Sequence, residues 1–73
     1  MTINKLKPGE KAAVKKINLP WRLCRRLMEL GILPEAKIIM LTRNLFGGIY
    51  LLSVGGTHIA LEEKIAQAIE IQK

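Results

Sequence analysis

The period of hydrophobic and polar positions changes twice along the 73 residues. A short polar lead-in containing Lys7-Pro8-Gly9-Glu10 precedes Ala12 to Asn18 (AAVKKIN), which predicts a first strand. From Pro20 the period becomes helical. At 100° per residue, Leu23, Leu27 and Leu30 fall within about 60° of one another and are expected in the core. Trp21, Cys24 and Met28 widen that apolar arc on one side. Arg22, Arg25, Arg26 and Glu29 gather within about 100° on the opposite side. Gly31 should end the helix in a left-handed C-terminal position, with Ile32 folding back on Leu27, and Pro34 bars any continuation.

Beyond Pro34 the pattern is that of strands. Ala36 to Arg43 (AKIIMLTR) is apolar on both faces, NLFGG forms a loop, and Ile49 to Val54 (IYLLSV) makes a second long strand. Gly55-Gly56 is a two-residue hairpin signal between Val54 and Thr57. HIAL predicts a short strand, EEKIAQ a single helical turn, and AIEIQ a last strand with Ile69 and Ile71 inside and Glu70 and Gln72 outside. About five short strands with one inserted α-helix define an all-β fold, a small and partly open barrel, with residues 1–73 as a single domain.

Composition sharpens this picture. Nearly half of the chain is apolar, with only Trp21, Phe46 and Tyr50 aromatic. That is generous for so small a core, and the excess points to an exposed patch for a partner or for self-association. The net charge of +6, from twelve Lys and Arg against six Glu and no Asp, favours acidic surfaces. A lone cysteine, Cys24, forms no internal disulfide and fits a reducing compartment. There is no signal-like apolar core at the start and no apolar run near the ~20 residues of a membrane span. The expectation is a cytoplasmic protein without membrane insertion.

Catalysis is poorly supplied. One His, one Cys, one Ser and no Asp cannot build a Ser-His-Asp triad, and a Cys24–His58 dyad would lack its usual neighbouring carboxylate or amide unless a glutamate or asparagine strayed in. The neighbours Glu62 and Glu63 point apart. No spacing of Cys, His and carboxylates predicts a metal site, and the glycine pairs lack the Lys-Ser/Thr of a phosphate cradle. The chain is expected to be non-enzymatic, with neither cofactor nor metal.

Binding remains. The arginines can be a solvated helix face, with Arg25 and Glu29 as an i,i+4 pair, or one border of a docking strip. An apolar arc spanning about half of the helix is wider than a small barrel covers, which favours docking. The expected partner-binding residues are Trp21, Arg22, Arg25, Arg26 and Met28 on the helix, with Phe46 and Tyr50 on the loop and second strand. Nucleic acid is disfavoured: a single real helix makes no helix-turn-helix, and two aromatics make a thin stacking platform.

The run RLCRRLMELGILPEAKI, followed by LTRNLFGGIYLLSVGGTHIALEEKIAQAIEIQ and preceded by LKPGEKAAV, resembles the FeoA family of bacterial ferrous-iron transport proteins over nearly the whole chain. The resemblance implies an SH3-like barrel. It also implies an accessory role on, and possible regulation of, a membrane ferrous-iron permease that carries a cytosolic G-protein-like domain, with iron as the permease's cargo. Two positions depart from the family pattern. Pro34-Glu35 replaces Pro-Gly, so a glycine-type conformation there is either absent or strained, and FGGI replaces a Gly-Asp-Pro loop. A nucleic-acid-binding barrel and a metal-responsive SH3-like regulatory module stay open as alternatives, as does a homo-oligomer.

Overall fold

A computed structural model describes residues 1–73, the side chain of Leu45 excepted. Strands β1 (Lys11–Ile17), β2 (Lys37–Leu45), β3 (Ile49–Val54), β4 (Thr57–Glu62) and β5 (Ile69–Gln72) form one antiparallel sheet in the order β4-β3-β2-β1-β5. Helix α1 (Trp21–Glu29) is inserted between β1 and β2, and the single turn α2 (Glu63–Ala66) between β4 and β5. Successive side chains of a strand point to opposite faces. One face of this sheet therefore gathers Ala12, Val14, Ile38, Met40, Tyr50, Leu52, Val54, Ile59, Leu61, Ile69 and Ile71 into the core. Breaks of register between Met40 and Thr42, between Thr42 and Leu45, and between Val14 and Lys16 supply the local bending that wraps the sheet around that core.

The lead-in is not polar in function, which corrects the sequence reading. Residues Ile3–Lys5 form a 3-10 helix, and Ile3 and Leu6 are fully buried. Three residues per turn bring positions i and i+3 to the same side, so two apolar residues in an otherwise polar segment both reach the core. Thr2 bridges to Glu70, and the Ile71 N–H donates to the Met1 carbonyl at 2.7 Å, which lays the N terminus along β5. Glu10 is tied to Lys73 and accepts from the Lys7 N–H at 2.7 Å; the Lys73 contact, then the Lys7 one, hold its carboxyl below the usual carboxylate range.

The end of α1 forms as its sequence dictates. The Ile32 N–H donates to the Leu27 carbonyl at 2.9 Å and the Gly31 N–H to the Met28 carbonyl at 3.0 Å. This is the Schellman pair, with Gly31 at φ +105°. Ile32 is fully buried where the chain leaves the helix. Four residues after Gly31, Glu35 takes φ +73°, a region where an L side chain crowds its own backbone. Of the two outcomes open at this position, the strained one is adopted. The Glu35 N–H donates to the Val14 carbonyl at 2.7 Å, and its carboxylate meets Lys15 Nζ at 2.8 and 2.9 Å.

Candidate functional site

Helix α1 has no side-chain N-cap; the carbonyl of Pro20 accepts from the Leu23 and Cys24 N–H groups. Its inward direction is set by two residues. Leu27 belongs to the core, and Cys24 is buried with its thiol against the Leu19 carbonyl at 3.2 Å and the Ile17 carbonyl at 3.7 Å. A small thiol accepts a close backbone approach where a leucine would not fit.

Centring the helix on Cys24 and Leu27 rotates the expected face. Leu23 and Leu30, expected in the core, are 42% and 37% exposed. The correction is physical: an apolar arc of about half the helix meets a barrel that covers only its middle. Both flanks are left in solvent. One carries Leu23 and Leu30; the other carries Trp21, 68% exposed, and the half-buried Met28. Leu33, just past the Schellman turn, is 47% exposed. Leu23, Leu30 and Leu33 are thus surface residues that sequence reasoning missed. The signal was the width of the arc, which exceeds what Cys24 and Leu27 can anchor.

Arg22, Arg25 and Arg26 occupy the outermost direction and are exposed. Glu29 lies 3.7 Å from both Arg25 and Arg26, shared between them as i,i+4 and i,i+3 neighbours. Exposed pairs at this separation are worth well under about 1 kcal/mol, so the cations stay available. The helix thus presents a guanidinium ridge between two apolar flanks.

The other two expected contacts are not joined to this face. Tyr50 is 4% exposed, its ring in the core and its hydroxyl donating to Glu63 Oε1 at 3.0 Å. Burial, and then the carboxylate beside it, raise its phenol above the ordinary value. Its alternation with Leu52 and Val54 on β3 turns it inward, so its place in a docking surface is corrected. Phe46 is 92% exposed at the β2–β3 tip, in a left-handed conformation with φ +52°. The C-terminal turn of α1 has its anchor at the other end of β3, where a methyl group placed on Gly31 would stand 3.8 Å from Val54 Cγ1. The length of β3, roughly 17 Å at ~3.3 Å per residue, separates the two anchors. A cleft of about 370 Å³ beside the tip runs from Phe46 to Ile49 and across Glu62 to Lys64.

A second basic surface lies on the outer side of the sheet. Lys11, Lys15, Lys37 and Lys73 rim an open groove of about 670 Å³ floored in part by Ala13 and Ile39. Glu35 and Glu10 pair with Lys15 and Lys73. No aromatic side chain lines it, which deprives it of the stacking contacts that single-stranded nucleic acid uses. Among the described residues, no three His, Cys, Asp or Glu side chains come together as a metal-ligand set, and no helix is long and apolar enough to cross a membrane.

A five-stranded antiparallel barrel with a helix between its first two strands defines the class: a small SH3-like domain. The FeoA domain model matches residues 1–73, and the chain belongs to the FeoA family. The FeoA protein of Chlorobium tepidum superposes with a TM-score of 0.91 at 26% identity, over 99% of this chain and 69% of that one. The zinc complex of Stenotrophomonas maltophilia FeoA gives 0.82 at 28% identity, over 99% and 89%; it is described as a prokaryotic SH3 domain protein and a proposed activating factor of ferrous-iron transport. A manganese-dependent transcriptional repressor shares the fold, with a TM-score of 0.90 at 20% identity over 100% of this chain and 41% of that one. No curated protein matches the sequence.

Proposed function

We propose that this chain is a non-enzymatic accessory protein of bacterial ferrous-iron uptake that docks, through α1, on the cytosolic G-protein-like domain of the ferrous-iron permease and regulates it. One observation carries the reading: a helix anchored by Cys24 and Leu27 leaves Trp21, Leu23, Leu30 and Leu33 exposed around Arg22, Arg25 and Arg26. Exposed apolar side chains beside weakly paired guanidinium groups have the composition of an interface, in which aromatic residues and Arg are enriched. Membership of the FeoA family directs that surface to iron uptake, the process in which the Stenotrophomonas protein is a proposed activating factor. Phe46 serves as a separate contact at the hairpin tip. The place of action is the cytoplasm, where the permease domain lies, and iron passes as the permease's cargo.

The test is a titration against the purified cytosolic domain of the cognate permease, with and without guanine nucleotide, with a DNA duplex as competitor at near-physiological salt. Saturable binding that DNA does not displace supports docking, and a nucleotide effect identifies the switch state that is recognised. Absence of binding to that domain, with salt-sensitive binding to DNA, would replace this reading by the nucleic-acid one.

A further inference from the structure

The sheet order leaves two edges, and the chain treats them differently. The β5 edge is partly covered by the N terminus, through the Thr2–Glu70 bridge and the Ile71-to-Met1 hydrogen bond. The β4 edge has no such covering strand: β4 pairs with β3 along its whole length, and at its end Glu62 turns into α2 as the N-cap residue. Edge strands are usually protected by proline, lysine, a bulge or a covering segment. β4 contains neither proline nor lysine, and its six residues pair with β3 in unbroken register from Val54–Thr57 to Ile49–Glu62.

The two-residue turn at Gly55-Gly56 fixes which backbone groups remain free. It makes Val54–Thr57 a narrow, hydrogen-bonded pair, and alternation follows along the strand. The N–H and C=O groups of Thr57, Ile59 and Leu61 therefore face β3, whereas those of His58 and Ala60 and the N–H of Glu62 face outward, the Glu62 carbonyl opening α2 as its N-cap. The side chains of His58, Ala60 and Glu62 are all exposed and share one face of the strand.

We propose that two copies of this chain associate by antiparallel pairing of their β4 edges about a two-fold axis at Ala60. This is the one register in which all three outward residues lie opposite a partner, Ala60 exchanging two backbone bonds with its counterpart and the Glu62 N–H donating to the His58 carbonyl of the other copy at each end. It sets Ala60 against Ala60, the smallest side chain of the three at the dyad. It sets His58 directly across from Glu62 of the other copy, twice, so that an imidazole N–H donates to a carboxylate at both ends. The sheet then continues from one copy into the next. Six residues make a small contact, which places the association in the weak, micromolar-to-millimolar range.

Sedimentation equilibrium of the full chain up to roughly millimolar concentration tests this. The expected result is a concentration-dependent dimer. Ala60→Lys, which sets two like charges across the dyad, should weaken it at least about tenfold, as should His58→Glu, which faces Glu62. The double variant His58→Glu/Glu62→Lys should restore affinity to within about threefold of the original, because an attractive pair again spans each end of the seam. Thermal melts establish that each variant is folded, and the exchange pair carries the test should Ala60→Lys disturb the strand. A chain that stays monomeric throughout overturns the proposal. So does a dimer indifferent to the folded edge variants, or one abolished by Leu23→Asp and untouched at β4.

Discussion

Gly31 and Glu35 both lie in positive-φ backbone, one with the residue type that region favours and one without. Gly31→Ala should destabilise the protein by about 1 kcal/mol or more, since alanine cannot hold the Schellman geometry without strain. At Glu35 the left-handed conformation costs about 1–2 kcal/mol, and the exposed Lys15 pair returns only a few tenths. Glu35→Gly should therefore be neutral or stabilising by up to about 1 kcal/mol, after the added freedom of the unfolded chain is counted. Glu35→Val should destabilise. Urea unfolding of the three variants checks all three signs.

Tyr50 carries the pH-dependent prediction. Its phenol is raised in the folded state, first by burial and then by Glu63, so ionisation is harder folded than unfolded. The contribution is fully present below the ordinary phenol value of about 10 and is lost as pH rises above it. Tyr50→Phe should cost about 0.5–1.5 kcal/mol at neutral pH, because the exposed Glu63 stays solvated. The same variant should flatten the alkaline fall of the melting temperature measured from pH 8 to 11.

At the scale of the element, α1 divides into two anchors and a surrounding surface. Leu27→Ala should cost about 2–5 kcal/mol, while Leu23→Ala should stay within about 1 kcal/mol, a contrast read directly by chemical denaturation. Most element boundaries were legible because each has a local cause: the Gly31 stop, the Gly55-Gly56 turn, and the alternation of Ile69 and Ile71; the loop expected from Asn44 begins only after Leu45, which still pairs in β2. The inward direction of α1 was not legible. Leu23, Leu27 and Leu30 share a narrow sector, and only the tertiary approach of the Ile17 and Leu19 carbonyls to Cys24 selects a neighbouring one. Tyr50 was misplaced for a related reason. An aromatic residue in a strand with apolar side chains on both faces carries no sign of which face is covered.

At the scale of the whole molecule, the N-terminal turn belongs to the barrel. Ile3 and Leu6 were hidden from pattern reasoning because one pair of apolar residues three apart gives no period. Ile3→Ala should cost about 2–5 kcal/mol, as for any fully buried aliphatic residue, and a melting curve measures it. The exposed surface of α1 was legible in kind, as apolar side chains bordered by arginines. It was not legible in extent, because Phe46 lies at the other end of β3 from the α1 anchor and Leu33 becomes visible only after the chain turns at Gly31.

The central claim is that the α1 face docks on the cytosolic domain of the permease. The most direct measurement is the affinity of that domain for the native chain and for the double variant Arg22→Glu/Arg26→Glu, whose substitutions lie in solvent and should leave the melting temperature nearly unchanged. The account predicts a loss of at least about tenfold, or roughly 1.4 kcal/mol. Unchanged affinity with the fold intact would contradict it.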